Sequence, residues 1–210
     1  MENSGSISAC IQPQEEEPIL HRFKASLAAA ALFLVGTASA EVYKIDSEHS
    51  SVAFSIRHLV SRTSGNFHEF SGTIDYDAEH PEKTHVEATI QAASIDTDNA
   101  RRDGHLRSGD FFNVEKFPTI VFKSIGAELE EGQLKVMGNL TMHGVTKTIA
   151  LPVEILGTGI HPYNQKPIAG FSAHAVILRS DYGVNNWADT AAILGDEVKV
   201  SLTIEAVAGE

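Results

Sequence analysis

Six stretches of the chain alternate apolar and polar residues with a period of two. In the first, Val52, Phe54, Ile56 and His58 fall on one side, with Ser51, Ala53, Ser55 and Arg57 on the other. The pattern recurs at Phe70, Ile74 and Tyr76, at Val86, Ala88 and Ile90, and at Leu134, Val136, Leu140 and Met142. It returns at Ile149, Leu151, Val153 and Ile155, and at Val198, Val200, Leu202 and Ile204. Successive side chains of a strand point to opposite faces, so this periodicity predicts half-buried strands. Two more are predicted at Thr119 to Ile125 and Ile168 to Leu178, eight in all.

Turn-rich stretches separate them at Asp77 to Lys83, at Glu130-Glu131-Gly132 and at Gly157 to Pro167. Many strands with little helix between them predict an antiparallel barrel or sandwich. The longest interruption runs from Asp96 to Pro118; there Asp98 is a candidate helix N-cap, Ala100 to Arg107 can form two turns, and Gly109 can end them. An eight-stranded barrel either fills its interior with side chains or holds one small ligand. A cavity is favoured by the aromatics Phe111, Phe112 and Phe117 in the insertion. Small or polar residues at inward-parity positions (His68, Gly72, Ala88, Ala92 and Gly138) point the same way.

The N-terminus reads differently. His21, Arg22 and Lys24 precede an apolar run from Ala25 to Gly36 that ends in Ala38-Ser39-Ala40, the pattern of a secretory signal peptide cut after Ala40. Twelve helical residues reach only ~18 Å, too short for a hydrocarbon core of roughly 30 Å. The acidic stretch from Met1 to Pro18 is unusual for such a signal, and a start at Leu20 would give a conventional one. The expected organisation is therefore residues 1–40 as extension and cleaved signal, and 41–210 as one exported domain.

Cleavage would remove the single cysteine, Cys10, so no disulfide is available to the domain, and 170 residues can bury an adequate core without one. Of the formal charge of −12, the first forty residues hold Arg22, Lys24 and four glutamates. The domain keeps 14 basic and 24 acidic residues, a net of −10. That balance argues against binding nucleic acid or anionic membrane surfaces through broad electrostatics.

Sequence signals for catalysis are few. Gly-x-Ser-x-Gly, the phosphate-binding Gly-x-x-x-x-Gly-Lys loop and His-Glu-x-x-His do not occur. Asp75-x-Asp77-x-Glu79 begins like a calcium loop, but His80 stands where glycine is needed and Val86 where glutamate is needed. Asn139-Leu140-Thr141 fits a glycosylation acceptor but falls inside a strand. Nine histidines follow residue 40, and none has ligand spacing; His58, His68, His143 and His174 could converge only through the fold. Arg57-His58, Arg102-Asp103-x-His105 and Arg179-x-Asp181 set arginines beside acids or strand ends. The structural reading pairs Arg102 with Asp103 or Asp110 and Arg179 with Asp181; the functional one gives an arginine the polar head of a ligand.

These segments also carry a resemblance. Asn99-x-x-Arg102-Asp103-x-His105-Leu106-x-x-x-Asp110-Phe111-Phe112-x-x-x-x-Phe117-Pro118 resembles the signature of the YceI-like family of periplasmic, lipocalin-like proteins. Ile45-Asp46-x-x-His49-Ser50, Leu140-Thr141-Met142-His143-Gly144-Val145-Thr146-Lys147 and Arg179-Ser180-Asp181-Tyr182-Gly183 agree with it in order and spacing. Asn113 stands where aspartate is commoner, and Tyr182 where phenylalanine is commoner. The early Gly-x-Trp of true lipocalins is missing, so that likeness is one of architecture.

The resemblance implies an all-β fold: an eight-stranded antiparallel lipocalin-like barrel with a short helical cap, enclosing an apolar tunnel for a polyisoprenoid, an isoprenoid quinone or a similar amphiphile. It implies no enzyme activity and no cofactor other than that bound lipid. The implied partners are the lipid, a second copy in a homodimer and, transiently, inner-membrane proteins. Each buried methylene contributes about 0.8 kcal/mol, so a tail of some forty carbons exceeds the practical affinity ceiling of roughly 18 to 21 kcal/mol before ordering costs.

The candidate ligand-binding residues are Phe54, Ile56, His58, Phe70, Ile95, Arg102, His105, Leu106, Phe111, Phe112, Phe122, Leu140, Met142, Tyr182 and Trp187. No catalytic or metal residues are assigned. The alternative is a histidine-dependent metal- or heme-linked periplasmic stress protein or enzyme.

Overall fold

A computed structural model of the chain describes residues 41–184 and 193–209. The signal segment, Cys10 and Trp187 lie outside the described residues. Eleven strands form one antiparallel sheet: β1 (Glu41–Ile45), β2 (Ser51–His58), β3 (Ser61–Phe67), β4 (Phe70–Tyr76), β5 (His85–Gln91), β6 (Ile95–Asp96), β7 (Thr119–Glu130), β8 (Gln133–Met142), β9 (Val145–Ile160), β10 (Pro167–Leu178) and β11 (Leu194–Ala208).

The register reduces these to eight walls. β1 and β2 pair with successive parts of β11, β1 meets β4 while β2 meets β3, and β6 continues β5 along β3. Three long strands are thus each broken once, at residues 46–50, at His68-Glu69 and at the 3-10 turn Ala92–Ser94. β1 against β11 closes the sheet, giving the eight-stranded up-and-down antiparallel barrel that the resemblance implies.

All eight predicted strands are present, and β9 runs on through Gly157 to Ile160, further than its alternation suggested. β3 was not predicted. Its sequence, Ser-Arg-Thr-Ser-Gly-Asn-Phe, has one large apolar residue, because Phe54 on β2 lies over Gly65 and supplies the hydrophobic surface from the partner strand.

The helix α1 (Ala100–Arg107) has the predicted bounds but not the predicted ends. Asn99, in extended conformation, is the N-cap and accepts the backbone N–H of Arg102 at 3.0 Å. Asp98 is left-handed (φ 59°), which excludes it from a capping position that requires an extended backbone. The helix ends at Ser108, one residue before Gly109.

Two clusters occupy the two ends of the barrel. At the end away from α1, Tyr43, Ile74, Tyr76 and Phe171 pack over Ala169, Ala206 and Ala208, with Tyr76 and Phe171 edge to face at 5.2 Å. Small residues on β10 and β11 leave room for those rings. At the helix end, Phe67, Ile95, Phe111, Met142, Tyr182 and Val184 are buried together, with Phe112 edge to face on Phe67 at 5.8 Å.

Candidate ligand-binding site

Between the two clusters lies a cavity of ≈ 750 Å³. Its walls are inward positions of the barrel strands, among them Phe54, Ile56, Ala88, Leu151, Ile177 and Val200, so the period-two pattern of the sequence builds the lumen directly. Two glycines help to keep it open. A Cβ on Gly65 would meet the Phe54 ring at 2.6 Å. One on Gly138 would meet the Lys123 carbonyl oxygen at 2.8 Å and the Phe122 ring closer still. Both rings therefore lie along the wall, over bare backbone of the neighbouring strand, and leave the axis free.

The cavity opens at the helix end. Of its exposed lining residues, Ser71 lies on β4, and the other five, His58, Asn99, Arg101, Arg102 and Ile193, gather between the end of β2, the first turn of α1 and the start of β11. The arginines and histidines of the site thus sit at the helix end, and the interior beyond them is mainly apolar.

α1 is strapped over this end by arginines. Arg102 donates from Nε to Thr97 Oγ1 and from Nη2 to the Thr97 carbonyl, both at 2.7 Å. Thr97 in turn donates its backbone N–H and hydroxyl to the buried Asp103 carboxylate, at 2.9 and 2.5 Å. Arg107 donates to the carbonyls of Ala93 and Ile95 at 2.7 and 2.6 Å.

The ion pairs predicted for Arg102 and Arg179 are not what holds them. Thr97 takes Arg102, whereas His105 takes Asp110 at 2.9 Å. Arg179 is buried and donates to the carbonyls of Gly195 and Val184 at 2.9 and 3.0 Å, while Asp181 faces Lys147. Burial lowers the Arg179 pKa from its ordinary value, and the nearby Asp196 charge opposes that shift.

Thirteen of the fifteen candidate residues line the cavity: Phe54, Ile56, His58, Phe70, Ile95, Arg102, His105, Leu106, Phe111, Phe112, Phe122, Leu140 and Met142. Tyr182 does not. It is 2% exposed and packs behind the lumen wall, and its hydroxyl has no hydrogen-bond partner among the described residues. Desolvation raises its pKa above the ordinary phenol value. Trp187 lies outside the described residues. Arg101 was missed in the sequence: it lines the mouth and makes no hydrogen bond or ion pair with the described residues, whereas its neighbour Arg102 is committed to Thr97. Only the helix phase separates the two.

The histidines considered for metal do not assemble. His68 is exposed and bonds Asp96 at 3.2 Å, which also removes it from the inward positions. His143 bonds the Tyr182 carbonyl at 3.2 Å and packs on Phe117, and His174 is exposed on β10. Among the described residues, one group has three potential ligand atoms within reach of each other: Asp46, His49 and Glu205, at the bend between β1 and β2. Its members are not cavity-lining residues. Asp46 and His49 bond each other at 2.8 Å, which lowers the pKa of the acid and raises that of the imidazole.

Residues 43–206 match the YceI-like domain. The chain belongs to the YceI-like family. Protein YceI of Salmonella arizonae is 40% identical over 182 residues, 85% of this chain and 93% of that protein. The YceI protein of Campylobacter jejuni is 33% identical, with a TM-score of 0.66 over 73% of this chain and 90% of its own. A polyisoprenoid binding domain from Saccharophagus degradans, 18% identical, shares the YceI-like fold with a TM-score of 0.61 over 80% of this chain and 98% of that one.

Proposed function

We propose that this YceI-like chain is a periplasmic carrier that holds a polyisoprenoid, isoprenoid quinone or similar long-chain amphiphile inside the barrel, and that it binds without catalysing a reaction. The cavity carries this reading: ≈ 750 Å³ lined mainly by apolar side chains, with its arginines and histidines gathered at the helix end. A site of this shape suits a molecule with a long apolar tail and one polar head. The ligand class named for the Saccharophagus degradans domain supports the same reading, and the signal-peptide pattern of residues 1–40 supports export.

The volume sets the length of tail. At about 30 Å³ for each water- or methylene-sized group, the lumen takes roughly 25 carbons, or about five isoprene units. At about 0.8 kcal/mol each, these give a gross ~20 kcal/mol, near the affinity ceiling before ordering costs are subtracted. A forty-carbon chain therefore folds back or leaves its last units at the mouth. Arg101 stands where the head emerges, and its guanidinium, without a partner among the described residues, suits an anionic or carbonyl head.

The test is solvent extraction and mass spectrometry of protein purified from the periplasm of its own host. An amphiphile with a long prenyl chain, in stoichiometric amount, is expected. Ligand-free protein that takes up no prenyl quinone on incubation would overturn the reading.

A further inference from the structure

We infer that the β2–β3 hairpin beside the cavity mouth is a membrane-docking tip, which inserts into the surface of an anionic lipid bilayer. This extends the carrier reading to how a ligand reaches the lumen, and rests on it.

The hairpin breaks the rules of its own turn. His58 pairs with Ser61, so the loop is the two residues Leu59 and Val60. Such loops favour asparagine and glycine, because a left-handed backbone is needed. Here Leu59 occupies that conformation (φ 52°) with its side chain 52% exposed, and Val60 is 103% exposed. A β-branched and a γ-branched apolar residue stand in water at a position where polar residues would suit both turn and solvent. No packing gain among the described residues compensates, which marks the site as functional.

The loop is nonetheless held in place. The Leu59 N–H donates to the Ile193 carbonyl at 2.6 Å, and Arg57 Nη1 donates to the Leu59 carbonyl at 3.1 Å. Its side chains are presented on fixed backbone. Ile193, 36% exposed, lies beside them and also lines the cavity, so the apolar tip is continuous with the mouth.

Charge on the hairpin fits an anionic surface. Residues 51–67 carry Arg57, His58 and Arg62 and no acid, and Arg101 lines the mouth. Arg57 and Arg62 are direct cross-strand partners two residues behind the tip, a like-charge arrangement that is unfavourable by itself. Several acids at the same end, outside the hairpin, have partners on the protein: Asp96 with His68, Asp110 with His105, Asp181 with Lys147, and Asp196 with Ser180. An apolar tip backed by arginines is the arrangement of interfacial anchors, where apolar side chains enter the acyl boundary and cations meet lipid phosphates.

Two variants test it in sedimentation with phosphatidylethanolamine–phosphatidylglycerol vesicles and with phosphatidylcholine vesicles. The wild type should bind the anionic vesicles more strongly than the neutral ones. Val60→Asp should weaken that binding at least about tenfold, the loss expected when one buried aliphatic side chain is withdrawn and a charge put in its place. Leu59→Asn should also weaken it while raising thermal stability, because asparagine suits the left-handed backbone and keeps both backbone bonds. Its stability readout separates docking from folding. Wild-type protein that ignores both vesicles, or variants that bind as the wild type does, would overturn the inference. So would a Val60→Asp protein that changes oligomeric state with vesicle binding intact, since the tip would then be a protein interface. Uptake of a prenyl quinone from detergent solution should be unchanged in both variants. Wild-type protein that binds vesicles but takes up no quinone would refute the carrier reading and leave the docking tip standing.

Discussion

Gly138→Ala tests whether the lumen depends on aromatic rings laid against bare backbone. The added Cβ would lie 2.8 Å from the Lys123 carbonyl oxygen and closer still to the Phe122 ring, so one of them must move. The carbonyl belongs to the β7–β8 ladder and is held there. The ring is free on one side, toward the cavity. Overpacking in a filled core costs about 1–3 kcal/mol; here the empty lumen accepts the ring, so the ligand-free protein should lose only about 1 kcal/mol. The ring then occupies volume that a prenyl chain needs, and affinity should fall by about tenfold, the equivalent of ~1.4 kcal/mol.

Gly126→Ala is the control. Gly126 lies on the adjacent strand, has nothing within 4 Å of an added Cβ and requires no left-handed backbone. That change should stabilise by about 0.4–1 kcal/mol through the unfolded chain and leave affinity alone. Urea denaturation of the ligand-free proteins and fluorescence titration with a prenyl quinone give both quantities. Equal stability and equal affinity for the two variants would refute this account of the lumen.

Other sites give separate tests. Asp103→Ala removes the acceptor shared by the Thr97 N–H and hydroxyl, and should cost about 2–3 kcal/mol in a denaturant melt, with α1 losing hydrogen-exchange protection. Tyr182→Phe deletes a buried hydroxyl that has no partner among the described residues, and should raise stability by about 1 kcal/mol; a loss would show that the hydroxyl is satisfied in solution. In an NMR titration His49 should ionise above the usual histidine value and return to it in Asp46→Asn. The His49 contribution to stability is complete below the ordinary histidine value and fades as pH rises through the raised one. That of Asp46 is complete above the ordinary carboxylate value and fades as pH falls through the lowered one, so the pair supports the fold most between the two. An unshifted His49 in both proteins would mean the pair does not form.

The walls of the lumen were legible because each predicted strand carries its apolar residues at one parity, and a barrel turns that parity into a single interior. Phe54, Phe122 and Leu140 needed no more information than that. β3 was hidden because, apart from Phe67, its inward positions are small or polar, Thr63 and Gly65 among them, and a ring from β2 covers Gly65. Partners of the arginines could not be read from neighbouring acids: Arg102 and Arg107 bind a hydroxyl and carbonyls that the 92–97 turn brings under the helix. Proximity to the signature motif misplaced Tyr182, which the turn ending at the left-handed Gly183 (φ 71°) sets behind the wall. Arg101 differs from Arg102 only by 100° of helix rotation, a distinction that requires knowing where the barrel lies.

The central claim, that the lumen holds a prenyl chain, is tested most directly by affinity against chain length. Quinones with one common head and an increasing number of isoprene units should bind more tightly with each unit until about five, where ≈ 750 Å³ is filled, and level off beyond. Affinity that is independent of chain length, or absent at every length, would contradict it.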